Sequence, residues 1–298
     1  MTLAAKQLGS EESLDALLRR GAERIADGRG CDWAEALFEA RLLVAFVTGL
    51  GTAALMLQGD RSPAPGVSRR FSYLCDRRAA GEPIAYLLGE RGFWRHRFRT
   101  TTGVLIPRPD TEVLVEWALE LLPSQARWRV IDLGTGTGAI GLSIAAERPE
   151  AEIHAVDRSP AAVELAARNR AFLAEQGATV SMGLWRGDWL AAIASASVDL
   201  LVSNPPYLAA DDPHLGEGDL RHEPCEALVA ADDGLADYRR LCAGARRVLR
   251  PGGWLLLEHG FAQAESVADR LHQAGFVSVA SRRDLAGHPR VTAGRQPG

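Results

Sequence analysis

The run Asp132-Leu133-Gly134-Thr135-Gly136-Thr137-Gly138-Ala139-Ile140-Gly141 constrains this chain more than any other stretch. It continues a short apolar run, Arg129 to Leu133, that reads as a strand, and it opens a helical pattern from Ala139 to Glu147. Glycines at alternate positions between a strand and a helix let a ligand approach backbone that a side chain would otherwise cover. Three more strand-like runs, Glu152 to Val156, Val198 to Val202 and Trp254 to Leu257, alternate with helical stretches at Pro160 to Glu175, Leu235 to Leu249 and Ala262 to Ala274. Such alternation predicts an α/β fold in which helices cover both faces of a mostly parallel sheet. Ligands then sit at the carboxyl ends of the strands, near the switch in strand order.

The loop alone leaves two cofactors open. Gly136-x-Gly138-x-x-Gly141 satisfies a dinucleotide fingerprint, and Asp157 ends the next strand, where a carboxylate accepts both hydroxyl hydrogens of a ribose. Asp132 ahead of the first glycine gives an Asp-x-Gly-x-Gly-x-Gly form that resembles class I methyltransferases. Their cofactor, S-adenosylmethionine, carries a cationic sulfonium and no pyrophosphate. A tight turn without a ligand accounts for the glycines but not for the acid at the next strand end. Trp189, in Asp188-Trp189, offers a flat face for adenine, and composition alone allows a buried core residue almost as readily.

The second signature is Asn204-Pro205-Pro206-Tyr207, delivered to the same edge by the strand-like run Val198 to Ser203. Consecutive prolines remove backbone donors and fix an extended corner. The Pro205 carbonyl and the Asn204 side-chain oxygen are then two acceptors suited to a planar NH2 group. An amide or aromatic amine nitrogen is a poor nucleophile because its lone pair is delocalised. Accepting hydrogen bonds from both of its N–H groups polarises it and aims it at a methyl donor, with Tyr207 packing on its flat face. A plain Pro-Pro turn explains the rigidity and leaves Asn204 and Tyr207 unexplained.

Upstream, three amphipathic patterns predict a small helical domain: Ser10 to Ile25 with Ser10, Glu11 and Glu12 as the cap, a helix opened by Asp32 and Glu35 and ended by Gly49, and Val67 to Ala80. Phe93 to Ile106 reads as a hairpin turning at Thr100-Thr101-Thr102-Gly103. The predicted divisions are 1–80 helical, 81–110 a linker with the hairpin, and 111–298 the α/β domain.

Composition narrows the function classes. With 34 Lys plus Arg against 38 Asp plus Glu, the net charge of −4 argues against gripping nucleic acid by bulk charge. The short basic cluster Arg95, His96, Arg97 and Arg99 is expected to be a solvated hairpin face. Cys31, Cys75, Cys225 and Cys242 show no metal-ligand spacing, so no metal is expected and reduced thiols in a cytoplasmic compartment fit. No signal-like or membrane-spanning apolar run is evident. Neither His-Glu-x-x-His nor Gly-x-Ser-x-Gly occurs, which removes support for metalloprotease and serine hydrolase chemistry.

Taken together, these residues resemble the peptide-chain release factor glutamine N5-methyltransferases (PrmC/HemK). The resemblance spans nearly the whole chain and includes Gly81 to Gly89, Gly103 to Glu112, Glu223-Pro224, Ala227-Leu228 and Leu256-Leu257-Glu258-His259-Gly260. Within it, Pro107-Arg108-Pro109-Asp110-Thr111-Glu112 separates this family from the related ribosomal-protein glutamine methyltransferases. The resemblance implies a class I, Rossmann-like methyltransferase with a small all-α N-terminal domain that helps grip a protein substrate. It implies that Gly134, Thr135, Gly136, Thr137 and Gly138 line the S-adenosylmethionine site, that Asp157 holds the ribose and that Trp189 lies at the adenine end. Asn204 would serve both cofactor and substrate, and Pro205, Pro206 and Tyr207 would shape the slot for the glutamine of a Gly-Gly-Gln motif in class I release factors. Catalysis would fall to Asn204, Pro205 and Tyr207, with no direct nucleic-acid contact. Two other readings remain: an adenine amino-methyltransferase of DNA, disfavoured by the charge, and a silent binding module on the same fold, disfavoured by Asp157, Asn204 and Tyr207 together.

Overall fold

Local capping chemistry starts and stops the N-terminal helices where the sequence places its signals. The structure, a computed structural model, describes residues 12–64 and 66–298. Helix α1 (Leu14–Arg29) is capped by the Ser13 hydroxyl accepting from the Ala16 N–H; the cap expected at Ser10 and Glu11 lies outside the described residues. Asp32 caps α2 (Trp33–Thr48) through the Glu35 N–H, and Gly49 ends it, as its sequence predicts. The third predicted helix is α4 (Val67–Ala79), while the short α3 (Thr52–Leu57) and α5 (Ile84–Leu88) carry no strong sequence signal. Leu17, Ile25, Leu43, Phe71 and Leu74 form the core of this unit. Arg78 is buried among them, and its guanidinium forks onto both oxygens of Glu39 at 2.8 Å, which satisfies a charge that the apolar surroundings would not tolerate alone.

The chain divides after Leu88 into two compact units. Packing explains why this differs from the expected linker over 81–110: Ile84 and Leu87 join the helical core, whereas Phe93 and Phe98 join the core of the sheet. The hairpin consists of β1 (Glu90–Phe93) and β2 (His96–Arg99), so it turns at Trp94-Arg95 and not at the expected Thr100 to Gly103. Trp94 takes a left-handed φ of 53°, unusual for a bulky residue, and tertiary bonds hold it there. Its N–H donates to the Glu112 carboxylate at 2.9 Å and its indole N–H to Glu147 at 3.0 Å.

The second unit continues with α6 (Glu112–Leu121), β3 (Arg129–Leu133), α7 (Ala139–Glu147), β4 (Glu152–Asp157), α8 (Pro160–Glu175), β5 (Gly183–Arg186) and β6 (Val198–Ser203). After it come the single turns α9 (Cys225–Leu228) and α10 (Ala231–Gly234), then α11 (Ala236–Val248), β7 (Leu249–Glu258), α12 (Ala264–Gln273), β8 (Val277–Arg283) and β9 (Pro289–Arg295). The seven strands run in the order β5-β4-β3-β6-β7-β9-β8, with β9 antiparallel to both neighbours and the rest parallel. Strand order therefore reverses between β3 and β6, which is where an open α/β sheet leaves a crevice.

Candidate active site

Register sets the site before any side chain is considered. Leu133 pairs with Ser203, Leu133 with Val156 and Ser203 with Leu257. One residue further on, Asp157, Gly134, Asn204 and Glu258 therefore leave the four central strands side by side. The Ser203 hydroxyl donates to the Leu133 carbonyl at 2.7 Å and ties the two switch-point strands together at this edge.

Asp132 builds the glycine loop from beneath. It is fully buried, and one oxygen accepts from the Thr135 hydroxyl at 2.6 Å and from the Gly141 N–H at 3.1 Å. The second of these bonds satisfies a first-turn donor of α7 that Gly138, lacking a side chain, leaves uncapped. Burial pushes the Asp132 carboxyl up to about 6. Gly134 has φ 71°, and a Cβ there would lie 3.0 Å from the Trp189 ring, so the position requires glycine twice over.

A cleft opens over this loop, lined by Gly134, Thr135, Gly136, Thr137, Asp157 and Trp189, with Val104, Ile106 and Ala162 as apolar walls. Gly138, also placed at the cofactor by the family resemblance, turns away: a Cβ there would meet Leu142 and Ala166. Asp157 accepts the Gly136 N–H at 2.9 Å through one oxygen and the Ser159 N–H at 2.8 Å through the other. These bonds aim the carboxylate into the cleft, and each oxygen keeps a second lone pair for a hydroxyl. Trp189 lies against Gly134, at the start of the loop, and its indole N–H donates to Asp237 at 3.1 Å. The charged residues lining the cleft are Asp157, Asp188, Glu226 and Asp237 against Arg108 and Arg158, a balance that suits a cationic sulfonium and opposes a pyrophosphate.

Asn204 lines this cleft and also a second one, whose walls include Tyr207, Leu208, Phe261 and Arg290. Its NH2 group donates to the Thr111 hydroxyl at 3.4 Å. Among the described residues, neither the Asn204 side-chain oxygen nor the Pro205 carbonyl accepts a hydrogen bond. Pro205 is buried, Pro206 faces the first cleft and Tyr207 the second. The corner is held by backbone: the Tyr207 and Leu208 N–H groups both donate to the Leu228 carbonyl, and Gln263 donates to the Tyr207 carbonyl at 2.9 Å. Gly234, at φ 82°, is required here because a Cβ would sit 2.1 Å from that carbonyl oxygen. Burial pushes the Tyr207 phenol up to about 12, so it stays neutral.

Sequence reasoning brings Asp157, the glycine loop, Trp189 and Asn204 to Tyr207 to one edge, and the structure places them there. It assigned no role to Arg108, Glu223, Thr111, Asp237, Gln263 and Glu258. Arg108 pairs with Glu223, whose other oxygen accepts the Ile106 N–H at 3.2 Å, so the segment walling the first cleft is tied to the loop after β6. Arg108, Thr111, Glu223 and Glu258 stand in runs quoted above only for their resemblance; for Asp237 and Gln263 the sequence carries no comparable signal.

A glycine loop and an Asn-Pro-Pro-Tyr corner meeting at the switch point of this seven-stranded sheet define an S-adenosylmethionine-dependent methyltransferase. The chain matches the methyltransferase small domain over residues 110–216 and the PrmC N-terminal domain over residues 16–89. It is 46% identical over 260 residues to the release factor glutamine methyltransferase of Xylella fastidiosa, covering 87% of this chain and 93% of that one. With the enzyme of the same name from Escherichia coli K12 it shares 46% identity over 257 residues, 86% of this chain and 91% of the other. A methyltransferase from Pyrococcus furiosus shares the fold at a TM-score of 0.50 and 16% identity, over 67% of this chain and 89% of that one. The chain belongs to the release factor glutamine methyltransferase family.

Proposed function

We propose that this protein transfers a methyl group from S-adenosylmethionine to the side-chain amide nitrogen of the glutamine in the Gly-Gly-Gln motif of class I release factors. One observation carries the reading: Asn204 borders both clefts, and among the described residues neither its side-chain oxygen nor the adjacent Pro205 carbonyl has a donor. Two acceptors on consecutive residues match the two N–H groups of a primary amide.

In this reading the backbone of Gly134 to Thr137 and the Asp157 carboxylate hold the cofactor, with Trp189 closing the wall beside Gly134. The bound cofactor supplies an electrophilic methyl group on a cationic sulfur. Asn204 and Pro205 accept the glutamine N–H bonds, which raises electron density on the nitrogen and fixes its lone pair toward that methyl. Pro206 and Tyr207 shape the slot and exclude water from it. The nitrogen sheds its proton to solvent after transfer, so no general base is needed. Catalysis rests on positioning and on electrostatic stabilisation present before the reaction begins.

The helical unit supplies contacts to the intact protein substrate, because every residue named at the cofactor lies in the other unit. Direct nucleic-acid binding is not part of the proposal: Arg95, Arg97 and Arg99 are paired with Glu147, Glu90 and Glu175, which leaves little unbalanced positive charge on the hairpin. Cys31, Cys75, Cys225 and Cys242 are free thiols, consistent with a reducing cytoplasmic compartment, and no helix among the described residues is long and apolar enough to cross a membrane. Mass measurement of the Gly-Gly-Gln peptide, after incubation of a release factor with the protein and S-adenosylmethionine, tests the assignment. One added methyl group on the glutamine is expected; an unmodified glutamine with methylation elsewhere contradicts it.

A further inference from the structure

Arg158 and Arg108 both line the first cleft, but only Arg108 also borders the second, as Asn204 does, and the proposed chemistry leaves it without a task. Its guanidinium is fixed from behind. Nη2 donates to Glu223, a carboxylate wholly shielded from solvent whose other oxygen takes the Ile106 N–H at 3.2 Å. Among the described residues this is its one partner, so Nε and Nη1 keep their hydrogens for another acceptor. The Arg108 side chain is 29% exposed, enough to meet a ligand and little enough that water screens it weakly. A half-buried guanidinium, oriented by a buried acid and with donors to spare, is suited to an anion.

We propose that Arg108 binds the α-carboxylate of S-adenosylmethionine. That carboxylate is the anion the cofactor brings into the cleft, and it ends a short aliphatic arm on the sulfur; the adenosine, whose ribose falls to Asp157, leaves the sulfur on the other side. Arg158 follows Asp157 directly and so stands at the nucleoside end. Its side chain is 60% exposed, and its Nη2 already donates to the Glu226 carbonyl at 3.1 Å. The methyl group, by contrast, must reach Asn204, which brings the sulfur and the root of the arm to the junction that Asn204 shares with Arg108. A carboxylate clamped there anchors the arm and limits the swing of the sulfur, which keeps the methyl aimed at the glutamine nitrogen.

This inference rests on the first cleft being the cofactor site, and the test separates the two. Calorimetry on the full chain compares S-adenosylmethionine with its decarboxylated analogue, which keeps the adenosine, the sulfonium and the ammonium. The parent protein is expected to bind the analogue about tenfold to a hundredfold more weakly, the loss that goes with a charge-assisted hydrogen bond. Arg108→Gln is expected to bind S-adenosylmethionine about as weakly as the parent binds the analogue, and to lose nothing further on the analogue. Because that variant leaves Glu223 buried without its partner, Arg108→Gln combined with Glu223→Gln is measured beside it and should show the same loss of preference. An analogue that binds the parent as tightly as S-adenosylmethionine does, or a parental preference kept by either variant whatever its absolute affinity, would overturn the inference. Parental binding of both ligands with a raised KM for the release factor would assign Arg108 to the protein substrate and overturn it equally. Asp157→Ala should weaken both ligands alike; parental affinity for both in that variant would overturn the placement of the cofactor in the first cleft instead.

Discussion

At the scale of single residues, the site holds buried acids whose protonation couples to folding. Burial raises the Glu258 carboxyl from an ordinary value near 4.5 to about 7. Between those values the folded chain keeps a proton that the unfolded chain has released, so this group's contribution to stability falls as pH rises through the window. Glutamine at the position does not titrate. The melting temperature of Glu258→Gln relative to the parent protein should therefore climb between about pH 5 and about pH 8, as thermal melts at several pH values would reveal. A difference that stays constant over that range would mean that the carboxyl titrates at its ordinary value. Asp132, raised to about 6 for the same reason, is present in both proteins and cancels from the comparison.

Among the elements, the glycine loop is where the sequence speaks most plainly. Its glycines are demanded by backbone angles, a local consequence of leaving β3 for α7, and at Gly134 also by the long-range approach of Trp189. Gly134→Ala places a Cβ against the indole at a left-handed φ and should destabilise the fold by about 1–2 kcal/mol while weakening S-adenosylmethionine binding. Calorimetry and melting curves check both effects, and an alanine variant with parental affinity and stability would show that the loop has room to spare. The strands β3, β4 and β6 and the helices α7 and α8 were legible for a related reason: apolar runs encode the strands and the buried α7 locally, and Ser159 with Pro160 marks the start of α8. Strands β8 and β9 were not. Residues Val277 to Arg283 are largely exposed, and Pro289 and Gly294 disguise β9, whose partner β7 is separated from it in sequence by α12 and β8. The hairpin turn at Trp94 was equally hidden, since Glu112 and Glu147 hold it from a distance. The placement of Glu258 beside Asn204 depends on register between β6 and β7, which no single segment contains.

For the whole molecule, a helical unit with an apolar core of its own, separate from the clusters packed on the sheet, implies two separable tasks. Leu17, Leu43 and Phe71 belong to one core, and Val130, Leu142 and Leu200 to another. A chain beginning at Gly89 should fold, as far-UV circular dichroism and a cooperative melt would show, and should bind S-adenosylmethionine like the parent protein. It should lose most methylation of an intact release factor; equal rates with and without residues 1–88 would remove the helical unit from substrate recognition. The central claim, however, concerns Asn204, whose oxygen is matched to an amide nitrogen that needs acceptors most as its lone pair commits to the methyl group. An interaction stronger in the transition state than in the ground state acts on kcat, and one equal in both acts on KM alone. The most direct measurement is the steady-state rate of glutamine methylation on an intact release factor by the parent protein and by Asn204→Ala. A fall in kcat of about 10²–10³ with little change in KM is predicted, whereas a normal kcat with a raised KM would make Asn204 a docking residue and contradict the account.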